Sequence, residues 1–502
     1  MFDESTDDLS DQELADAAPR CTDAANADAT ACRHGAGFRY VVEWDAWLAW
    51  NGTRWARTGA SLALRRAVLL TARAEYAAVK LVIHGLRAEL KRALLADKDL
   101  ADELDAKIKI QLVLLKWHEQ SQNSSRIKAA ADILATILAM PFSDLDSCPW
   151  YFNVQNGTVD LRSAELLPHT REHYITQIAP VEWDDAASCP TWDTFIRQAM
   201  GGDVTMVMYL QRLVGYAATA LNREHVLLFF WGGGNNGKGT FFRAIQGIFG
   251  EYGCAAPRDL LFQPKGGSAP HPSELARLYG KRLAICAEVG ESARFDEAKI
   301  KDLTGGDAIA CRRMNEDWWD FTPTHTLFLH GQHKPNVSGH DLGIWRRMRL
   351  IPWLFTIAPG QVDVELSEKL LRERSGILRW LVNGCLEWQR VGLEEPATVV
   401  AATAEYRQES DVLGAFLRQY VVVDPVGRVV RKTLRERYER WCEEAGHEPV
   451  GGRRMATRLR ELGVTECNVR DGHTTRDGWS GIRLRTDAEM WAASEPATPL
   501  LS

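Results

Sequence analysis

Apolar positions along the chain follow three rhythms. From about Leu62 to Ala139, Leu, Ala and Ile recur at three-and-four spacing among Lys, Arg and Glu, which predicts amphipathic helices. Alternating apolar and polar residues mark "FRYVVEWDAWLAWNGTRW", with a hairpin turn at Asn51-Gly52, and "YFNVQNGTVDLRS", turning at Asn156-Gly157. Unbroken apolar runs occur in "REHVLLFFWGGG", "KRLAICAEVGE" and "THTLFLHGQHKP", the form of buried strands entering polar turns. Helical spacing returns in "TWDTFIRQAM" and "VMYLQRLVGYAATAL", after a loop bracketed by Pro180 and Pro190, and in "TFFRAIQGIFG", which closes on glycine. Pro352, Pro359 and Gly360 predict one boundary, and Asp424-Pro425 to Gly427 another.

Composition narrows the class. A chain of 502 residues has room for about three domains, and 45% hydrophobic with 25% charged residues describes a globular protein. The apolar runs are too short to cross a bilayer, and the acidic start lacks the basic and apolar regions of a secretory signal. Residues 1–36, acidic and without periodicity, read as a disordered tail. Ten cysteines without any C-x-x-C read as reduced, mostly buried thiols in a cytosolic protein; Cys21, Cys32 and His34 fit no zinc spacing. The net charge of -7 hides an asymmetry, because Val429 to Arg485 is crowded with arginine. Trp44, Trp47, Trp50 and Trp55 read as the core of a small sheet, with stacking on bases as the alternative.

The chemistry concentrates around "WGGGNNGKGTFF". Gly232 to Lys238 reads G-x-x-x-x-G-K, a string that average composition produces by chance in roughly one of seven chains this long. Its context is more specific. An apolar strand precedes it and an amphipathic helix follows, the arrangement in which backbone N–H groups and a helix N-terminus cradle phosphates and a lysine neutralises them. Gly232, Gly233, Gly234, Asn235, Asn236, Gly237, Lys238, Gly239 and Thr240 are therefore the candidate nucleotide contacts. Downstream, Glu288 leaves the second apolar run, where an acid can hold Mg²⁺ or polarise water. Gln332 and His333 leave the third, within reach of a γ-phosphate, and Arg346 and Arg347 form a paired arginine.

These segments, with "RLAICAEVGESARFDEAKIKDLTGGD", "FTPTHTLFLHGQHKPNVSGHDLGIWRRMRLIP" and "SGILRWLVNGCLEW", resemble the superfamily 3 helicases. They are most similar to the phage and plasmid primase-helicase branch, which is related to the poxvirus primase-helicase; the likeness runs from about residue 38 to 412. The resemblance implies an α/β fold: an AAA+ P-loop ATPase core with an N-terminal mixed helical domain and a C-terminal winged-helix domain. It implies a hexameric ring that uses ATP and Mg²⁺ to translocate on DNA. Lys238 matches the Walker A lysine, Glu288 the Walker B acid, Gln332 the sensor, and Arg346 or Arg347 the finger. "KDLTGGD", with Lys301 and Asp307, matches the motif before the channel hairpin. Two departures stand out. Gln332 replaces the usual Asn, keeping the amide but lengthening it by a methylene. Gly239 removes the hydroxyl that normally binds Mg²⁺, which leaves Thr240 as the metal candidate beside Glu288, about 100° further round the helix.

Candidate DNA contacts are Lys301, Arg312 and Arg313 at the channel, where Trp318 and Trp319 either stack on bases or pack beneath the hairpin. Beyond them, "VVRKTLRERYERWCEEAG", "GGRRMATRLRELG" and a strand pair read as a winged helix, with Arg453, Arg454 and Arg458 facing a groove and Arg476 on the wing. The expected domains are an acidic tail (1–36), an N-terminal helicase-associated domain (37–200), the ATPase core (201–360), its helical extension (361–412), the winged helix (413–490) and a flexible tail (491–502). No room for a primase–polymerase domain is expected ahead of residue 37, so a primase or host replication protein acts in trans. Partners are single-stranded and forked DNA, possibly origin duplex DNA, and further copies of the chain; no membrane is expected, and the compartment is a bacterial host's cytoplasm. The alternatives are a DNA-stimulated ATPase that senses or remodels DNA without unwinding it, and an origin-binding protein with weak ATPase activity.

Overall fold

The computed structural model describes residues 21–490, except 258, 265–271, 288–289, 291–292, 313–316, 338–341, 359, 361, 472–473 and 487, and without the side chains of 272 and 471. The described residues open with helix α1 (Asp23–His34), so residues 21–36 are not the disordered segment expected, while residues 1–20 of that expectation lie outside the described residues. Thr22 caps the helix by accepting from the N–H of Ala25 at 3.1 Å. Ala27 and Thr30 are buried, and Asn26 donates to Ser121 Oγ at 3.0 Å. Alanine, frequent in this segment, is the strongest helix former and allows close packing.

Strands β1 (Phe38–Val41), β2 (Ala46–Trp50) and β3 (Trp55–Ala56) form an antiparallel meander, to which β4 (Ala139–Met140) adds in parallel. The Asn51 turn forms as expected, with Asn51 Oδ1 accepting from the N–H groups of Thr53 and Arg54. Trp44 and Trp55 are buried and Trp47 and Trp50 half-buried, which bears out the core reading. Helices α2 (Ala60–Ala93), α3 (Lys98–Gln120) and α4 (Ser124–Ile137) fill the long helical stretch. Then β5 (Tyr151–Val154), β6 (Gly157–Asp160) and β7 (Glu165–Leu167) form a second antiparallel sheet. Its first turn is Gln155-Asn156, one residue earlier than expected. Gly157 instead opens the strand, where a Cβ would lie 2.5 Å from the Leu167 carbonyl oxygen.

After α5 (Pro190–Ala199) and α6 (Val204–Ala217) comes a five-stranded, all-parallel sheet. Its strands are β8 (Leu227–Trp231), β9 (Gly253–Ala255), β10 (Leu283–Ala287), β13 (Thr326–Gly331) and β14 (Met348–Pro352), in the order β14-β8-β13-β10-β9. Numbered by appearance, that order is 5-1-4-3-2. Helix α7 (Lys238–Phe249) follows β8, and α8 (Glu297–Thr304) leads to the hairpin β11 (Ile309–Cys311) and β12 (Trp319–Phe321). Helix α9 (Leu342–Trp345) precedes β14, and α10 (Leu366–Arg372), α11 (Arg374–Val391) and α12 (Ala397–Ser410) follow it. Glycines let α11 lie against α6: a Cβ at Gly215 would come within 2.1 Å of the Cys385 nitrogen. The helices after β14 thus share one core with the sheet.

The last unit runs α13 (Val412–Tyr420), β15 (Val421–Val430), α14 (Arg431–Ala445), α15 (Gly452–Glu461), β16 (Thr465–Asp471) and β17 (Thr474–Leu484). Its sheet, in the order β15-β17-β16, covers a separate core of Leu413, Phe416, Leu434, Tyr438, Leu459 and Trp479. Asp424-Pro425 to Gly427 is therefore not a boundary. It bulges out of β15, whose register with β17 shifts between Val423 and Arg428, so turn residues sit inside one strand. No helix among the described residues is long and apolar enough to cross a membrane.

Candidate functional site

The glycine loop joins β8 to α7, and each of its special residues has a visible cause. At Gly232 a Cβ would lie 2.1 Å from the Trp353 carbonyl oxygen, because β14 leaves the sheet directly against the loop. Asn235 (φ 52°) and Gly237 (φ 81°) are left-handed, and at Gly237 a Cβ would press on the Phe195 ring at 2.8 Å. Asn236 is buried; its Nδ2 donates to the Trp353 carbonyl at 2.9 Å, and its own carbonyl accepts from Trp353 Nε1 at 2.6 Å. Asn235 pairs with Ile357 in the same way, giving 3.0 Å through side chain and backbone. The loop is thus clamped along one side by residues 353–357.

Lys238 opens α7 and is buried, its ammonium donating to the carbonyls of Gly232 (2.6 Å) and Gly233 (2.9 Å). Gly233, Gly234 and Gly239 are exposed, and nothing lies within 4 Å of a Cβ added at Gly239. Gln332, immediately after β13, comes to the same edge of the sheet. Its carbonyl accepts from Trp231 Nε1 at 2.8 Å, and its Nε2 lies 3.8 Å from where a Cβ at Gly234 would sit. Gly232 donates to the Gly331 carbonyl at 3.2 Å. Strand β10 pairs Ala287 with His330 and so ends at this edge too; Glu288, the following residue, lies outside the described residues, as does Arg313.

Thr240, on the first turn of α7, accepts through its hydroxyl from Arg243 at 3.4 Å, and the residue also lines a cavity of about 390 Å³ with Arg243, Ser367 and Arg374, between α7 and α10. A larger cavity of about 960 Å³ opens beside Asn236, lined by Phe195, Gln198, Phe355, Ile357 and Lys369. Sequence reasoning missed these residues, because they are scattered over α5 and the segment after β14.

The paired arginines sit at the opposite end of the sheet. Arg347 accepts through its carbonyl from the N–H of Leu227, the first residue of β8, so about five residues of strand, roughly 16 Å, separate it from the loop. Arg347 is half-buried and donates to the Gly343 carbonyl at 3.1 Å. Arg346 is exposed, with no ion pair among the described residues, on the lip of a 730 Å³ cleft shared with Arg349, Arg407, Arg418 and Arg458.

The expected hairpin is present as β11–β12. Lys301 is half-buried on α8, Asp307 is exposed, and the Arg312 guanidinium lies 5.1 Å from the ring centre of Trp318. The two adjacent tryptophans differ in burial. Trp319 is buried against Phe142 (5.5 Å) and Tyr279 (5.1 Å), while Trp318 is 58% exposed. In the last unit, Arg453 and Arg454 are exposed at the start of α15, and Arg476 is exposed on β17. Arg458, half-buried one turn on, lines the cleft and pairs with Glu461 at 3.1 Å. All ten cysteines are free, Cys21 and Cys32 among them, and no cluster of three or more metal-type ligands occurs among the described residues.

A mixed α/β protein with a parallel sheet, a glycine loop at its edge and a helical N-terminal part is the class this geometry defines. Residues 27–201 match the family described as "D5 N terminal like", and residues 230–347 match a family of unknown function (DUF5906). "Putative helicase L207/L206" of Acanthamoeba polyphaga mimivirus is 24% identical over 397 residues, 75% of this chain and 40% of that protein. "Putative helicase 022R" of Frog virus 3 (isolate Goorha) is 24% identical over 287 residues, 53% of this chain and 29% of that protein. "Putative primase C962R" of African swine fever virus (isolate Tick/Malawi/Lil 20-1/1983) is 24% identical over 211 residues, 41% of this chain and 22% of that protein. The apo structure of the NrS-1 C terminal region, 14% identical, aligns over 61% of this chain and 77% of that one with a TM-score of 0.37. The chain is thus similar, over residues 27–201, to the D5 N terminal like family, and more widely to viral proteins named as helicases and primases. It spans 40% or less of the lengths of these curated relatives, and they come from viruses of eukaryotes rather than from a bacterial host.

Proposed function

We propose that this chain is the ATP-driven motor of a viral or mobile-element DNA helicase, with a P-loop ATPase of the AAA+ type at its centre. One observation carries the reading: the strand order β14-β8-β13-β10-β9 sets Gln332 beside the glycine loop and ends β10 at the same edge. ATP is the substrate, its phosphates cradled by residues 232–239 and its base in the cavity beside Asn236. Lys238 exchanges the Gly232 and Gly233 carbonyls for phosphate oxygens. Glu288 orients and polarises the attacking water, and Gln332 fixes its position. With glycine at 239, the position after Lys238 offers Mg²⁺ no hydroxyl, so Glu288, Thr240 and the nucleotide would hold it. Bound there, the metal would supply charge neutralisation, in keeping with its preference for phosphate, carboxylate and water.

Six copies form a ring in which Arg346 reaches the neighbouring site, and the β11–β12 hairpin with Lys301, Arg312 and Trp318 follows one DNA strand through the channel. The last unit acts as a winged helix, presenting Arg453, Arg454 and Arg476 to phosphates; its helix–strand–helix–helix–strand–strand order supports this. A second reading, an ATPase that remodels DNA without unwinding it, is favoured by the missing hydroxyl at Gly239. The test is Mg²⁺-ATPase with and without single-stranded DNA, followed by fork unwinding. Turnover that rises with DNA and vanishes in Lys238→Ala is expected, with strand displacement. Turnover without displacement favours the second reading, and no turnover in the wild type sinks the motor.

A further inference from the structure

Lys334 does something the nucleotide site has not yet accounted for. Its side chain is only 16% exposed, and its ammonium meets three groups at once. Glu409 Oε2 lies at 2.7 Å, the Trp231 ring centre at 4.5 Å and the Tyr406 ring centre at 5.6 Å. Burying an ammonium is costly unless a counter-ion and polarisable faces replace its water, and a methionine would fill the same space without that cost. The cation is therefore there for what it fixes.

What it fixes is the turn after β13. Four consecutive ties hold residues 331–335: Gly331 accepts from the N–H of Gly232 (3.2 Å), and Gln332 accepts from Trp231 Nε1 (2.8 Å). Lys334 pairs with Glu409, and the Pro335 carbonyl accepts from the Tyr406 hydroxyl. Two ties come from the end of β8, and two from one face of α12, on which Tyr406 and Glu409 lie three residues apart. The backbone is pinned on both sides of Gln332 and His333, both of which are exposed, with the Gln332 amide at the edge of the glycine loop.

We infer that Lys334, held in the cage of Trp231, Tyr406 and Glu409, is a positioning residue for ATP hydrolysis. It sets the Gln332 amide at the distance from the glycine loop that water placement requires, a tolerance of about half an ångström. The inference rests on the reading of Gln332 given above. It differs from a folding role, because the phosphate cradle itself is clamped independently by residues 353–357.

The experiment compares DNA-stimulated Mg²⁺-ATPase kinetics, fluorescent-ATP affinity and thermal melting for the wild type, Lys334→Gln, Lys334→Arg, Glu409→Gln and Tyr406→Phe. Lys334→Gln and Glu409→Gln are expected to lower kcat about tenfold or more. Nucleotide affinity should stay within about threefold, and the double variant should be no worse than either single one. Lys334→Arg keeps the charge, the pairing and the stacking, so it should recover most of kcat. Should Lys334→Gln fail to fold, Tyr406→Phe, which removes a single hydroxyl, carries the test with the same split. The inference is overturned if Lys334→Gln keeps wild-type kcat, if Lys334→Arg is as impaired as Lys334→Gln, or if affinity and melting temperature fall in step with kcat. Absence of turnover in the wild type would instead defeat the motor reading, and this inference with it.

Discussion

At the scale of single residues, the glycines of the loop are not equivalent. Gly232 faces the backbone of the segment leaving β14, which cannot yield as a flexible side chain would. Gly232→Ala should therefore lose about 1–3 kcal/mol of stability to overpacking. Gly239→Ser meets open space on an exposed helical turn, and serine is the better helix residue by about half a kcal/mol, so its stability should match or slightly exceed the wild type. Equal urea midpoints for the two variants would contradict this account. His325, just before β13, gives a second prediction. It is 1% exposed, neither ring nitrogen has a partner among the described residues, and burial pushes its pKa down to about 4. The unfolded chain takes up that proton near pH 6.5. Between those values the unfolded state binds more protons, so stability falls as the pH drops from about 6.5 towards 4. His325→Leu removes this loss and leaves no unsatisfied nitrogens. Its stability advantage over the wild type should grow by about 2–3 kcal/mol between pH 7.5 and 4.5 in urea unfolding, and an advantage that stays constant would rule out a buried neutral imidazole.

Among the elements, the β11–β12 hairpin buries one of its two adjacent tryptophans and exposes the other. Trp319 closes an aromatic cluster with Phe142, Tyr279 and Phe321, which reaches Trp44 of the first meander through Tyr279 at 5.5 Å. Trp319→Ala should destabilise the chain by about 3–5 kcal/mol. Trp318→Ala should leave the melting curve unchanged and weaken single-stranded DNA binding, consistent with about 1–3 kcal/mol per stacked base; fluorescence anisotropy with a labelled oligonucleotide separates the two. The Asn51 turn and the strand–loop–helix around Lys238 were legible in the sequence, because each rests on local patterning and turn chemistry, whereas this hairpin was expected only from the resemblance. The order of the parallel sheet was not legible. That β13 lies between β8 and β10 depends on one pairing 100 residues apart, Leu227 with Leu327, and another 43 apart, Leu283 with Thr326, and only that order brings Gln332 to Gly234. Local signals also misled where two structures share one chemistry. An alanine-rich acidic stretch became α1, and Asp424-Pro425 became a bulge inside β15 rather than a linker. The cage around Lys334 lay hidden because Glu409 is 75 residues away in the sequence.

For the molecule as a whole, the position of Arg346 decides how copies must cooperate. It lies at the end of β14 remote from its own glycine loop, with roughly 16 Å of strand between, farther than an arginine side chain reaches. If Arg346 stabilises phosphoryl transfer, it does so in a neighbouring copy, across a heterologous contact of the kind that closes into rings. Arg347 is less suited to the task, being half-buried and bonded to the Gly343 carbonyl within its own turn. Arg346→Ala alone should then reduce turnover by about a thousandfold, as loss of such a finger does elsewhere, while each subunit still binds nucleotide. Lys238→Ala alone should be equally inactive for the opposite reason. Mixed in equal amounts and allowed to assemble, the two variants create contacts that join an intact Lys238 to an intact Arg346. With random order, about one contact in four is complete, so the mixture should regain a corresponding fraction of wild-type ATPase activity, which neither variant shows alone. Arg347→Ala in place of Arg346→Ala should act on stability rather than through mixing. A mixture as inactive as its components, with assembly verified by sedimentation, would place the catalytic arginine elsewhere and remove the reason to expect a ring.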